Sequence, residues 1–130
     1  LRPGGILALN LHSIGWHDEI VISMAATLGR HFEHVTVLPI AEPPDQLGNI
    51  IILASHREMA LREELPPPTD RFSAEYDMNH AWDNRFEPDV TQARVLTDDL
   101  NPVDVWSERV NLASRKGIHA YFRDKQGIAW

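Results

Sequence analysis

Residues 1–13, LRPGGILALNLHS, predict a tight turn that leads into a buried β-strand. Pro3 restricts its own φ to about −65°, and the glycine at position 4 or 5 can supply the positive φ that such a turn requires. The apolar run from Ile6 to Leu9 is typical of a strand that is covered on both faces, as in a sheet flanked by helices. We therefore expect an α/β fold built outward from this strand.

Polar residues return directly after that apolar run, at Asn10, His12 and Ser13. Ligands of open α/β sheets bind beyond the carboxyl ends of the strands. This placement makes Asn10 and His12 candidate substrate-binding residues, and His12 a candidate base toward an incoming amine, a role that histidine fills near neutral pH. The alternative is that both side chains end the strand and hydrogen-bond to backbone.

The composition narrows the class of protein. A chain of 130 residues can bury a core as one unit. The sequence contains no cysteine, which excludes disulfides, thiolate catalysis and cysteine-type zinc sites. An apolar run of about 18 residues, the length a membrane span needs, is lacking, as is the basic start of a signal peptide. We expect a cytoplasmic location and no membrane partner.

The formal net charge of −7 argues against nucleic acid as a partner, because binding to phosphate backbones depends on clustered Lys and Arg. Acidic residues also outnumber basic ones between positions 70 and 104. A small cationic ligand is compatible with this charge, and Glu75 and Asp77 beside Tyr76 would suit an amine. A solvated acidic surface loop is the alternative.

The segment from His17 to about His31 predicts a helix, with Asp18 and Glu19 in its first turn and Arg30 and His31 in its last. Its apolar stripe consists of Val21, Met24, Ala25, Leu28 and Phe32. His17, His31 and His34 do not form a complete metal-ligand set, because His17 lies about four turns away along the helix. We predict no metal site.

Two further strands are predicted at 35–40 and 49–55. The eight residues between them leave no room for a crossover helix, so the two strands should pair antiparallel. Pro39 cannot donate to a sheet ladder, which makes the first of them an edge strand or ends it there, whereas the second should be central.

The remainder of the chain divides into an irregular part and a final helix. Residues 56–65 suggest a short charged helix, and 66–94 show no clear period, which is typical of a lid or of partial disorder. Asn101 and Pro102 provide a cap and a first helical residue, and Gly117 a stop. The stripe of that helix is Val103, Trp106, Val110 and Ala113, with Trp106 expected in the core.

Just before this helix, residues 96–104 read LTDDLNPVD. Together with the Pro-Gly-Gly strand and the hairpin at 35–55, this string resembles the C-terminal region of spermidine synthase-like proteins, which share the class I S-adenosylmethionine-dependent methyltransferase fold. The resemblance implies three parts: the C-terminal half of a Rossmann-like sheet at 1–55, a charged lid or loop at 56–94, and the Thr-Asp-Asp motif with a helix at 95–130.

The family resemblance implies a polyamine aminopropyltransferase, in which decarboxylated S-adenosylmethionine donates an aminopropyl group to an amine such as putrescine. Its glycine-rich cofactor loop and catalytic Asp precede the part matched here. We therefore expect no catalytic and no cofactor-binding residue in this chain, which would be inactive alone. Asp98 and Asp99 would bind the amine or close over it, although acids before a helix N-terminus also serve helix entry.

Two other functions remain open. One is an S-adenosylmethionine-dependent small-molecule methyltransferase, because authentic spermidine synthases tend to carry Gln and an acid where this chain has Asn10, Leu11 and His12. A carboxylate is the better partner for a diamine ammonium group. The other is a noncatalytic α/β module that forms a homodimer through the unpaired apolar edge of the first strand.

Overall fold

A computed structural model describes residues 2, 4–40, 43–60 and 78–126, which form a mixed α/β fold. Within these residues lie three strands and three helices, and no helix among them is both long and apolar enough to cross a membrane. In chain order they are β1 (Ile6–Ile14), α1 (Glu19–Leu28), β2 (His34–Pro39), β3 (Leu47–Ser55), α2 (Met78–Asp83) and α3 (Val103–Gln126).

The strands form an open sheet in the order β1-β3-β2. β3 pairs antiparallel with both neighbours, so that Ile52 stands opposite Leu9 on one side and opposite Val37 on the other. β1 and β2 consequently run parallel to each other. The predicted antiparallel return, the central position of β3 and the end of β2 at Pro39 are confirmed.

The core lies on one face of this sheet, under α1 and α3. Its buried residues come from the sheet and from both helices and include Val21, Val37, Ile50, Ile52 and Trp106. Trp106 is 6% exposed, which confirms the prediction that it packs in the core. Because alternate residues of a strand point to opposite faces, the register places Leu9, Ile52 and Val37 side by side under the helices.

The prediction that β1 is covered on both faces is wrong. β1 is the edge strand of the described sheet, and Ile6 (53% exposed) and Ala8 alternate with the half-buried Leu7 and Leu9. This alternation is the pattern of an antiparallel sheet with one covered face. β1 also continues to Ile14, because each of its nine residues pairs with β3.

α1 is shorter than predicted at both ends. It begins at Glu19 after the N-cap Asp18 and ends at Leu28, and the N–H of the C-cap Gly29 closes the last turn by donating to the carbonyl of Ala25 at 2.8 Å. Arg30 and His31 therefore lie beyond the last turn rather than in it. The predicted apolar stripe is confirmed, since Val21 and Ala25 are buried.

α3 begins as predicted but does not end at Gly117. Asn101 Oδ1 accepts from the Val103 backbone N–H at 3.4 Å, as expected of the cap. The helix continues to Gln126 because the residues after Gly117 are ordinary helix formers, and one glycine costs about 1 kcal/mol. In this added half, Ile118 and Tyr121 are exposed.

The irregular region is described only in part. Residues 56–60 are not helical, so the helix predicted from His56 is wrong for them. Residues 78–83 form α2, and 84–102 contain no helix or strand. The rest of that predicted helix and the acidic cluster of Glu75, Tyr76 and Asp77 lie outside the described residues.

Two glycines give a matched test of this fold. Gly15 has a φ of 91°, and a Cβ there would lie 2.6 Å from the carbonyl oxygen of Pro44, whereas a Cβ at Gly117 would meet nothing within 4 Å. Gly15→Ala should lower the free energy of unfolding by more than about 1 kcal/mol, and Gly117→Ala should raise it by about 0.5–1 kcal/mol. Urea denaturation measures both. A stabilising effect at Gly15, or a destabilising one at Gly117, would contradict the backbone described here.

Candidate functional site

A cavity of about 350 Å³ lies beside β1, between α1 and α3. This volume is at the lower end of the range for small-molecule sites. The residues that line it are Asn10, Leu11 and His12 of β1, Ile20 and Met24 of α1, and Val103, Ser107, Val110 and Asn111 of α3. The structure therefore brings the two predicted substrate-binding residues of β1 to one cavity.

Asn10 and His12 border this cavity at the open edge of the sheet. The sequence predicted that both residues lie at the carboxyl end of the strand. This prediction is wrong, because β1 extends to Ile14 and both residues lie within it. Leu11 belongs to the core face, so the side chains of its two neighbours project from the opposite, exposed face of the sheet, although both residues are among those that line the cavity. Both are exposed to solvent and to a ligand approaching from that edge.

The cavity combines an apolar floor with uncharged polar groups. Ile20 and Val110 are buried beneath it. The Ser107 hydroxyl and the amides of Asn10 and Asn111 can both donate and accept hydrogen bonds, and His12 can in addition take up a proton. Among the lining residues there is no carboxylate. The arrangement suits a small ligand with an apolar stem and a polar end.

Asp98 and Asp99 are placed elsewhere. They form the tip of a tight turn in which the backbones of Thr97 and Leu100 exchange two hydrogen bonds of 3.1 Å. Both carboxylates are exposed, and neither lines the cavity beside β1. The cap of α3 is Asn101, so the two aspartates do not supply helix entry by capping either.

An ion pair between Asp18 and Arg109 links the three elements around the cavity, which are β1, α1 and α3. The sequence did not predict it. The Asp18 side chain is 2% exposed, and its Oδ1 accepts from Arg109 Nη2 of α3 at 2.5 Å. Oδ1 also accepts from the backbone N–H of Ile20, and Oδ2 from that of Ile14 at 2.9 Å. An Asp before a helix signals a cap, but nothing local points to Arg109, 91 positions further along.

Two hydroxyl groups on α1 fix the segment that leads into α3. Ser23 Oγ accepts from the backbone N–H of Arg94 at 3.3 Å, and Thr27 Oγ1 accepts from that of Leu96 at 2.8 Å. Thr27 in turn donates to the carbonyl of Ser23 at 2.7 Å. In the sequence, Ser23 and Thr27 lie beside the apolar stripe of α1, and no local pattern predicts that they bind the backbone of residues 94 and 96.

Among the described residues, the cavity beside β1 has neither a glycine with positive φ nor a group of three metal-ligating side chains. Gly4 and Gly15 are the described glycines with positive φ, and they approach the Arg57 side chain and the Pro44 carbonyl, respectively. Neither glycine lines the cavity beside β1. Across the described ranges, no three His, Cys, Asp or Glu side chains come together as metal ligands.

Comparisons with protein families, with curated proteins and with solved structures give no match to this chain.

The Asp18 contacts predict a large effect of mutation. Asp18→Ala leaves the N–H groups of Ile14 and Ile20 and the Arg109 guanidinium without their acceptor, and should lower the free energy of unfolding by about 2–4 kcal/mol. The control is Glu19→Ala. Glu19 meets Arg94 at 4.0 Å between two exposed side chains, and its loss should cost less than about 0.5 kcal/mol. Equal losses in chemical denaturation would contradict the role of Asp18.

Proposed function

We propose that this chain is the acceptor-side part of a spermidine synthase-like transferase domain. Such a domain moves an aminopropyl group from decarboxylated S-adenosylmethionine to a small amine. The observation that carries the proposal is the cavity beside β1, whose lining residues include Asn10, His12, Ser107 and Asn111 together with the apolar Ile20 and Val110.

The order of the elements supports the same proposal. A strand, a helix and an antiparallel strand pair are what the resemblance implies for the C-terminal half of a Rossmann-like sheet, and β1, α1, β2 and β3 follow that order. The outer edge of β1 has no strand partner among the described residues. An open edge of this kind can accept the further strands of a larger sheet.

Each polar group has a chemical task in this proposal. The oxygens of Asn10, Ser107 and Asn111 accept hydrogen bonds from the ammonium group of the amine. His12 then takes a proton from that ammonium group, which frees the nitrogen lone pair. That nitrogen would form a bond to the aminopropyl carbon while the bond from this carbon to the cofactor sulfur breaks, and the sulfur would leave as a neutral thioether. Ile20 and Val110 contact the methylene stem of the amine. The net charge of −7 favours the approach of a cation.

In the family that the chain resembles, a glycine-rich loop holds the cofactor, and this sequence contains no such loop. We therefore expect the chain alone to be inactive. A closely related alternative is a small-molecule methyltransferase that uses S-adenosylmethionine itself. The lack of a carboxylate among the residues lining the cavity is the observation in favour of this alternative. The Thr-Asp-Asp string at residues 97–99 favours the aminopropyltransferase instead.

A second candidate of another class is a noncatalytic module that dimerises through β1. The observation in its favour is the symmetry of the exposed residues, since Ile6 and Ile14 stand four positions on either side of Asn10. Antiparallel pairing of two copies about Asn10 would set Ile6 of one copy beside Ile14 of the other. Cross-strand apolar pairs of this kind stabilise a sheet by about 0.2–1 kcal/mol each.

Transfer by the full-length protein tests the first candidate. His12→Ala should lower kcat about 100-fold or more and flatten the lower limb of the pH profile, because the base is lost. Asn10→Ala should mainly raise KM for the amine. Ile118→Ser, an exposed change on the far half of α3, is the control. Mass spectrometry of the product separates aminopropyl from methyl transfer. Full activity of His12→Ala, or transfer by the isolated chain, would contradict the proposal.

Sedimentation of the isolated chain tests the second candidate. The dimer reading predicts association at micromolar concentration that Ile14→Lys abolishes, because a lysine would face the apolar Ile6 of the other copy. Val90→Lys provides a matched change at another exposed apolar residue and should leave association unchanged. A chain that stays monomeric at several hundred micromolar would rule out the dimerisation module.

A further inference from the structure

A second cavity lies on the other side of α1 from the cavity beside β1. It has a volume of about 430 Å³ and is bounded by the end of α1, the start of β2 and residues 87–95. We refer to residues 87–95 as the strap and to the cavity as the strap cleft. It shares no lining residue with the cavity beside β1, so it is a separate site.

The strap is anchored close to both of its ends. Just before it, the backbone of Phe86 exchanges two hydrogen bonds with Val37 of β2, at 2.9 and 3.0 Å. At its far end, the backbone N–H of Arg94 donates to Ser23 of α1. Because one anchor is on the sheet and the other on α1, the strap spans the gap between these two layers.

A turn stiffens the middle of the strap. Asp89 Oδ1 accepts from the backbone N–H of Thr91 at 2.9 Å. The hydrogen bonds from the Thr91 backbone and side chain lower the pKa of Asp89. These hydrogen bonds hold the turn at residues 89–91 closed.

Small side chains on α1 leave the space under the strap empty. Ala25, Ala26 and Gly29 face it where larger residues would fill it. Phe32 and Val35 complete the apolar wall on this side, opposite Val90 and Ala93 of the strap. The volume falls within the range of small-molecule sites, about 300–1,000 Å³.

The charges at the strap cleft favour a cation. Glu33 and Glu87 line it and are exposed, and the carbonyl end of α1, which carries partial negative charge, reaches it at Gly29. Arg30 is the one basic residue among its lining residues. Two carboxylates and a helix C-terminus against one guanidinium leave an excess of negative charge.

We infer that the strap cleft binds a small monocation with an apolar body, an alkyl- or arylammonium ion. The ammonium group lies between Glu33 and Glu87, where charge-assisted hydrogen bonds hold it. The apolar body lies against Ala26, Phe32 and Ala93. This inference is independent of the proposed transferase function, because it involves neither the cavity beside β1 nor a cofactor.

Titration of the isolated chain with phenethylammonium, followed by amide NMR, tests the inference. The amides of Ala26 and Ala93 should shift, with saturation below about 5 mM. The neutral isostere 2-phenylethanol should bind at least fivefold more weakly, and phenylacetate more weakly still, because both lack the positive charge. Equal binding of phenylacetate and phenethylammonium would overturn the inference.

Variants separate the contributions of charge and space. Glu33→Gln with Glu87→Gln should weaken binding about tenfold, and Arg30→Gln should tighten it. The matched control is Asp104→Asn with Asp124→Asn, which removes two exposed acids of α3 that do not line the strap cleft. An equal loss in the control pair would show that net charge alone attracts the ion, and would overturn the site.

Filling the strap cleft should abolish binding without unfolding the chain. Ala93→Leu places a larger side chain in it from the strap, and Ala26→Leu does so from α1, with circular dichroism as the test of folding. Folded variants that still bind would overturn the inference. Shifts confined to residues around His12 and Asn111 would also overturn it, because the ligand would then occupy the other cavity.

Discussion

The carboxylate of Asp18 is the contact on which the arrangement of the other elements depends. It joins the end of β1, the first turn of α1 and the second turn of α3 through hydrogen bonds from Ile14, Ile20 and Arg109. A buried charge is costly unless its lone pairs are satisfied, and here three donors satisfy them. Without this contact α3 would be held mainly by Trp106 and Val110, whose apolar contacts do not fix its direction as a directional ion pair does.

Local signals in the sequence were enough to predict β1, α1, β2, β3 and α3 and the antiparallel pairing of β2 with β3, but not α2 or the contacts between the helices and the sheet. The stripe around Val21 and Ala25, the proline that ends β2 and the cap at Asn101 each act within a few residues, and each is confirmed. The continuation of α3 past Gly117 was not predictable, because a single glycine stops a helix only when its surroundings favour a turn. The exposed face of β1 depends on what packs against it, which a run of apolar letters does not record.

In the candidate site too, local sequence patterns predicted some of the residues, and long-range contacts bring in the others. Asn10 and His12 were found because polar residues interrupt an apolar strand, and they line one cavity. Ser107 and Asn111 join them through the docking of α3 about a hundred residues later. Their spacing of four on a helix predicts a shared face, but not which partner that face meets. The two cavities also share α1 as a wall, one through Ile20 and Met24 and the other through Ala25 and Ala26.

The length of α3 has a mechanical consequence. Its last buried contact with the body is Val110, and the 16 residues from there to Gln126 extend for about 24 Å at 1.5 Å per residue. The helix can therefore rotate as a rigid rod about the contact between Arg109 and Asp18. A rotation of about 5° at that contact displaces the distal end of α3 by about 2 Å. Small changes around the ion pair are thus amplified at the distal end of α3.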